Sequence, residues 1–417
     1  MKHIKLNNNF FNAGGIGIGD SDFIISNVEI NNNIGSGIGV GSSYGILDSI
    51  YIRDNQGRAI SIGSSNPTLT NILISGNQGN YKGIGIFLSY ANPIMSNVTI
   101  NNNISDDYFG GGGMYLNNSS PELNNVVISN NLASIGSGGG LFLGLHSFPI
   151  LNNVTISGNA AQSKGGGIYI GNGQMYTGYD TTIYADKLLI VNNYSIDHGG
   201  GIFISQSDKI NLQNSTIVAN IVGEGDVYGA GIYSDGGIVN LVNSVIYLNR
   251  QEEDFDINYN INGLSQNEFL EYNILYSNIE GDDDWFPEGE GNISLDPEFV
   301  DIENGDFNLS PNSPCIDAGT AFFIWEGDTL VNLNPDEYYG NAPDMGAFEW
   351  YPEEPDYQPG DVTQDGSINV QDIVLLIAFI LVNDTADSNE FALADLNTDG
   401  LLNVLDVVIL VDMILGG

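Results

Sequence analysis

Two acidic stretches carry the clearest chemistry in this 417-residue chain. The first is DVTQDGSINVQD, from Asp361 to Asp372, and the second is DLNTDGLLNVLD, from Asp395 to Asp406. Each places side-chain oxygens at loop positions 1, 3, 5, 9 and 12 with glycine at position 6. That spacing wraps oxygens around a hard cation of six to eight ligands. The first set is Asp361, Thr363, Asp365, Asn369 and Asp372, with Ser367 giving its backbone carbonyl. The second is Asp395, Asn397, Asp399, Asn403 and Asp406, with Leu401 giving its carbonyl. Gly366 and Gly400 supply the sharp turns. Two copies 34 residues apart, each leading into an apolar run, predict two bound Ca²⁺ ions.

A second candidate cluster is Lys164, Asp197 and His198, which stand immediately before runs of glycine. A lysine or histidine beside a carboxylate could move protons. The competing reading is that these are solvated turn residues. His146 and His3 stand apart from them, and no nucleophile elbow, phosphate loop or zinc spacing is present.

The elements that position these residues repeat. PTLTNILISGN (67–77), PIMSNVTINNN (93–103), PELNNVVISNN (121–131) and PILNNVTISGN (149–159) are copies of one coil. Their last Asn belongs to the series 33, 55, 77, 103, 131, 159, 193, 220 and 249. A glycine cluster and a second alternating strand follow, as in GGGGMYLN (110–117), GGGLFLG (138–144), GGGIYIG (165–171), GGGIFIS (199–205) and GAGIYSD (229–235). Alternation of apolar and polar residues predicts half-buried strands. No coil can bury its apolar row alone, so the coils stack as a solenoid. Val98 is then expected beside Val126 and Val154, about 4.8 Å apart, with the Asn residues stacked at a turn. A leucine-rich repeat lacks its Leu framework here, and the period is too short for a propeller. In this register the residues before the glycines share one edge: Lys82, Asp106 to Tyr108, Lys164, Asp197 and His198, and Asp226 to Tyr228. Lys164 and His198 are therefore expected on adjacent coils.

Charge narrows the partners. Residues 1–250 hold all nine Lys and Arg and 15 of the 52 acids, a net of −6. Residues 251–417 hold 37 acids and no Lys or Arg. Such a surface repels phosphate backbones and anionic lipid, which argues against nucleic-acid and membrane partners. The single cysteine, Cys315, excludes an intrachain disulfide. Between Pro314 and Ile316 it reads as a buried small hydrophobe. No apolar stretch reaches the roughly 18 residues of a membrane span. The start shows no signal-peptide pattern, and residue 7 already reads as repeat, as in an N-terminally truncated chain.

The repeat, with its variable spacing and Asn and Gly turns, resembles the pectin-lyase-like right-handed parallel β-helices over about residues 7–280. Residues 292–350 resemble the closing coils of bacterial β-helix surface proteins, through Asp296 to Phe299, Ser313 to Gly319, and Asp344 to Glu349. They are expected to cap the core, with Asp317 and Asp344 hydrogen-bonded to turn backbone. Residues 359–417 resemble a type I dockerin, since Asp fills position 12 and no helix precedes the first loop. Thr363 departs from the usual Asn or Asp. Val370–Gln371 and Val404–Leu405 differ at positions tied to partner choice. The expected chain is an all-β right-handed parallel β-helix (1–291), closing coils (292–350), a linker (351–358) and a small α-helical dockerin-like module (359–417).

The resemblances imply an extracellular or cell-surface protein held by a cohesin partner through Ca²⁺. The leading expectation is a non-catalytic component that binds carbohydrate or protein. An alternative is a polysaccharide lyase or glycoside hydrolase on the same module. Lyases of this shape use Lys or Arg beside Ca²⁺, and hydrolases use paired Asp, so Lys164, Asp197 and His198 would be the catalytic candidates. Neither family's full motif is present. A further alternative is self-assembly through the open solenoid end.

Overall fold

The structure is a computed structural model that describes residues 4–7, 15–171, 182–205, 208–225, 227–252, 260–263, 271–281, 289–325, 327–352, 358–382, 386 and 388–416. His3, Asp226 and most of the 351–358 linker lie outside these. The chain forms two compact units, Met1–Trp350 and Tyr351–Gly417.

The first unit is a solenoid of three parallel sheets, one more than the sequence pattern suggests. The first sheet stacks long strands such as Thr68–Ser75, Ile94–Asn101, Glu122–Ser129 and Ile150–Ser157. Val98 pairs with Val126, and Val126 with Val154, in the expected register. The second sheet holds the strands after the glycines, including Met114–Asn117, Leu141–Leu143 and Ile168–Ile170. The third consists of two-residue strands directly after the repeated Asn, such as Gln78–Gly79 and Ile104–Ser105. Inward-facing residues such as Ile100, Ile128 and Ile156 stack into one continuous apolar core. At roughly 1.5–3 kcal/mol per fully buried aliphatic side chain, this stack drives folding.

The Asn pairs divide two tasks at one corner. The first residue of each pair takes a left-handed turn, with φ of 55° at Asn102 and 53° at Asn130. Asn and Gly tolerate that conformation best. The second is buried and bonds to the coil above. Asn103 Nδ2 donates to Asn131 Oδ1 at 2.9 Å, and the backbone N–H of Asn103 donates to the same oxygen at 3.0 Å. This pattern joins Asn33, 55, 77, 103, 131, 159, 193, 220 and 249. A tenth member, Asn260, comes only 11 residues later. It takes the place of the glycine that five preceding rungs, from Gly113 beside Asn131 to Gly231 beside Asn249, set next to the Asn side chain.

Residues 292–350 do more than cap the end. Ile293 adds one rung, bridged to Asn278. The chain then folds back over the outer face of the first sheet. Phe307 packs on Leu189, Val191 and Val218, and Leu309, Cys315 and Met345 pack on Val245. Ala347 N–H donates to Thr216 Oγ1 at 2.9 Å. The later coils are apolar on both faces for this reason: Leu189–Val191 and Thr216–Val218 are buried throughout. Asp344 accepts the N–H groups of Asp317 and Trp350, and Asp317 accepts those of Asn341 and Ala342. These carboxylates hold turn backbone, and Cys315 is fully buried.

The second unit contains α1 (Val370–Val382), α2 (Ser388–Ala394) and α3 (Val404–Leu415). The acidic loops lead into α1 and α3, and α2 is an element that the loop pattern does not announce. Val362, Leu376, Ala394 and Leu410 form its core. Among the described residues no helix is long and apolar enough to cross a membrane.

Candidate functional site

Each strand of the second sheet from Ile86–Ser89 to Ile232–Ser234 points one aromatic side chain outward. Phe87, Tyr115, Phe142, Tyr169, Phe203 and Tyr233 stack face to face, with centroids 4.6–5.9 Å apart. Parallel strand spacing puts the rings in register. The column dictates the glycine clusters. Gly138, four residues before Phe142, has φ +65°, and a Cβ there would lie 2.9 Å from Phe142 Cβ. Gly111 and Gly229 face Tyr115 and Tyr233 in the same way.

Cations from the preceding turn lie over the ring one coil on. Arg58 lies 4.1 Å from the Phe87 centroid, Lys82 Nζ 5.2 Å from Tyr115 and Lys164 Nζ 4.6 Å from Phe203. His198 stacks on Tyr233 at 4.3 Å. Lys164 and His198 occupy adjacent coils, because Gly138 N–H donates to the Lys164 carbonyl and Gly165 N–H to that of His198. Each of these side chains has a structural contact of its own, and the Lys164 and Asp197 charges both act on His198. Lys164 is engaged by Phe203, and the Asp197 carboxylate accepts the Ser163 hydroxyl at 3.0 Å. His198 Nδ1 accepts the Tyr228 N–H at 2.9 Å. Burial, with the nearby Lys164 charge, holds the His198 imidazole below its ordinary pKa against the opposing pull of Asp197 and Asp235. It is therefore neutral at pH 7.

Exposed side chains cover this edge. Tyr81, Phe109, Ile135, Ile196 and Tyr228 are all at least a third exposed. At its lower end Gln56, Gln78, Gly79, Asn80 and Tyr81 line a depression of about 440 Å³. The sequence signal for the aromatic column was present in MYLN, LFLG, IYIG and IFIS, where the middle aromatic takes the outward position. Alternation alone assigns that position to polar residues. The amides around the depression belong to the short third-sheet strands and their turns, which have too few residues to show a period.

The two acidic loops are duplicates in detail. Asp361 Oδ1 and Oδ2 accept the N–H groups of Asp365 and Gly366, and Asp395 does the same for Asp399 and Gly400. Asp372 accepts from Thr363 and Asn369, and Asp406 from Asn397 and Asn403. Gly366 and Gly400 have φ of 83° and 81°. Asp406 also closes the capping box of α3 with Asn403. The Thr363 hydroxyl donates to Asp372 at 2.7 Å, which draws position 3 toward position 12. Among the described residues no three acidic, imidazole or thiol side chains are gathered at one point, since the loop carboxylates hold backbone N–H groups. The donor set nonetheless fits a hard divalent cation. It is all oxygen, and Asp361, Asp372 and Asp406 are buried in a segment without Lys, Arg or His. Buried carboxylates without a counter-charge are costly, and a bound cation removes that cost.

Comparison with known families matches residues 2–159 to the right handed beta helix region and residues 359–415 to the dockerin type I domain. The chain is a right-handed β-helix with a C-terminal type I dockerin domain. The solved structure of pectate lyase Pel9A is similar at 14% identity and a TM-score of 0.34, with 82% of each chain covered. Comparison with curated proteins gives no match. Type I dockerins typically bind calcium, and a dockerin implies a cohesin partner. On this dockerin, α1 exposes Val370, Val374 and Leu381, and α3 exposes Val404, Val408 and Leu415 at the same positions of the repeat.

Proposed function

We propose that this protein is a non-catalytic, carbohydrate-binding β-helix. The dockerin attaches it to a cohesin outside the cell, with one Ca²⁺ in each acidic loop. The observation that carries the reading is the edge before the glycines. It exposes aromatic and aliphatic side chains above a rigid ring column, while Lys82, Asp106, Asp107, Lys164, Asp197 and His198 each engage a structural partner. Apolar and aromatic surface next to amides suits sugar rings, which present C–H faces and hydroxyl rims. In the dockerin, Asp361, Thr363, Asp365, Ser367, Asn369 and Asp372 would hold one ion, and Asp395, Asn397, Asp399, Leu401, Asn403 and Asp406 the other. Calcium there would neutralise the buried carboxylates and fix both helices, so their exposed apolar rows face the cohesin.

One observation favours a second reading, a polysaccharide lyase or hydrolase. Lys164 and a neutral His198 occupy neighbouring coils beside Asp197. The test is to incubate the full chain with insoluble and soluble polysaccharides, with and without Ca²⁺, and to assay retention, chain scission and cohesin capture. Retention without scission, together with calcium-dependent capture, is the expected result. Scission abolished by Lys164→Ala would transfer the conclusion to the enzyme reading. Calcium-independent capture would overturn the role assigned to the loops.

A further inference from the structure

We propose that the depression lined by Gln56, Gln78, Asn80 and Tyr81 is a subsite for a neutral glycan chain; this rests on the carbohydrate-binding reading and narrows it to one place and one chemical class.

The amides supply the first argument. Elsewhere in the solenoid, buried Asn side chains spend their hydrogen bonds on neighbouring coils, as Asn77 and Asn103 do. Gln56, Gln78 and Asn80 are exposed, and their amides bond to no group among the described residues. Each amide offers donors and an acceptor, which matches the paired donor and acceptor character of adjacent sugar hydroxyls. Their backbones are fixed. Gln56 N–H donates to the Asn33 carbonyl at 2.8 Å and Gln78 N–H to that of Asn55 at 3.0 Å. Three uncommitted amides on a rigid sheet edge are preorganised for a ligand.

Tyr81 supplies the second. Its ring is half exposed. The Arg58 guanidinium lies 5.4 Å from its centroid and only 4.1 Å from that of Phe87. Arg58 Nε also donates to the Lys82 carbonyl at 2.8 Å. The cation thus ties Tyr81 to the base of the aromatic column, leaving a stiff platform for the apolar face of a pyranose. A volume of about 440 Å³ is in the range of small-ligand sites.

Charge selects the class. The two cations bordering the depression are both engaged by rings: Arg58 over Phe87, and Lys82 Nζ 3.4 Å from the Phe109 centroid. Asp106 and Asp107 stand on the next coil, where Asp107 accepts the Phe109 N–H and Asp106 the Ser134 hydroxyl. Two cations and two carboxylates cancel. Neither of these two cations is left uncommitted to favour a uronate, so a neutral chain is the ligand.

The test uses the full chain in Ca²⁺. Calorimetric titrations with cellohexaose, xylohexaose and trigalacturonate are run on the unaltered protein, Tyr81→Ala, Gln56→Ala/Gln78→Ala, and a control, Tyr44→Ala, whose exposed ring lies on the first sheet. Circular dichroism melts establish that each variant folds. At least one neutral hexaose is expected to bind, weakened tenfold or more by Tyr81→Ala and by the double variant and unchanged by Tyr44→Ala. Tighter binding of trigalacturonate, or equal loss in the control, overturns the proposal. If polysaccharides retain the Tyr81→Ala protein as well as the unaltered one, the subsite fails while the carbohydrate-binding reading stands. If no carbohydrate retains the unaltered protein, both fail.

Discussion

Replacing Asn131 by alanine tests the stacking logic of the solenoid at its middle. The side chain makes four hydrogen bonds: it donates to Asn159 Oδ1 and the Ile100 carbonyl, and accepts from the backbone N–H and Nδ2 of Asn103. Asn103 Nδ2 keeps the Asn101 carbonyl at 2.9 Å, and Asn159 Oδ1 keeps the Asn131 N–H at 2.9 Å. The Asn103 N–H loses its partner while its residue stays fully buried. A stranded buried donor costs about 1–3 kcal/mol and each of the three remaining bonds about 1 kcal/mol, so Asn131→Ala should destabilise by about 4–6 kcal/mol. Asn131→Asp should do no better, because it retains the acceptor but sets an oxygen against Asn159 Oδ1 and the Ile100 carbonyl. Its deficit should grow above about pH 4, where a buried carboxylate must ionise or hold its proton at a cost. Urea unfolding of the full chain, followed by circular dichroism, gives the magnitude. Asn124→Ala is the control: its half-buried amide donates to Glu122 and accepts from Asn152, both at 3.0 Å and both within reach of water, and its loss should stay at about 1 kcal/mol. If Asn131→Ala costs no more than Asn124→Ala, the column is a by-product of the fold and not a determinant of it.

Three further outcomes are expected. Gly138→Ala should lower the thermal midpoint, since a left-handed non-glycine residue costs about 1–3 kcal/mol and its Cβ meets Phe142, whereas Gly39→Ala, with nothing within 4 Å, should not. The lowered His198 pKa means that the unfolded chain binds the extra proton, so stability present above about pH 6.5 is lost as pH falls; His198→Phe should keep the stack on Tyr233 and flatten that part of the stability profile, and an unchanged slope would assign it to Asp197, Asp235 or other groups. Burial pushes the Cys315 thiol up to about 11, so thiol reagents should label it at pH 8 only after denaturant is added; labelling of the native protein would contradict its placement against Val245.

The coil register was legible because one residue type does one job in each coil. Nine Asn positions in the sequence are nine consecutive members of the column. Asn260 was not, because it reaches the same slot from a glycine position. The acidic loops were legible because oxygen spacing within twelve residues is local. The return of residues 299–348 over the first sheet was not, since it pairs residues more than a hundred apart, such as Thr216 and Ala347. Its trace is compositional: alternating strands give way to continuous apolar runs at LLIV and TIV, the mark of strands covered on both faces. Lys164 and His198 could be placed on neighbouring coils from spacing alone. That Phe203 and Tyr233 would engage them depends on the aromatic column, which no single coil reveals.

The Asn column also has a direction. Every Nδ2 points toward the C-terminal neighbour, so ten amide dipoles run head to tail from Asn33 to Asn260. Such a row accumulates partial positive charge at its leading end, as a helix does at its N-terminus. There the last donor, Asn260 Nδ2, meets the Glu280 carboxylate at 3.0 Å, and the same oxygen accepts the Leu248 N–H at 2.7 Å. A full negative charge answers the polarised end and leaves no amide oxygen to template another rung. Glu280 is thus a terminator written into the repeat, and growth by added coils would have to begin by replacing it.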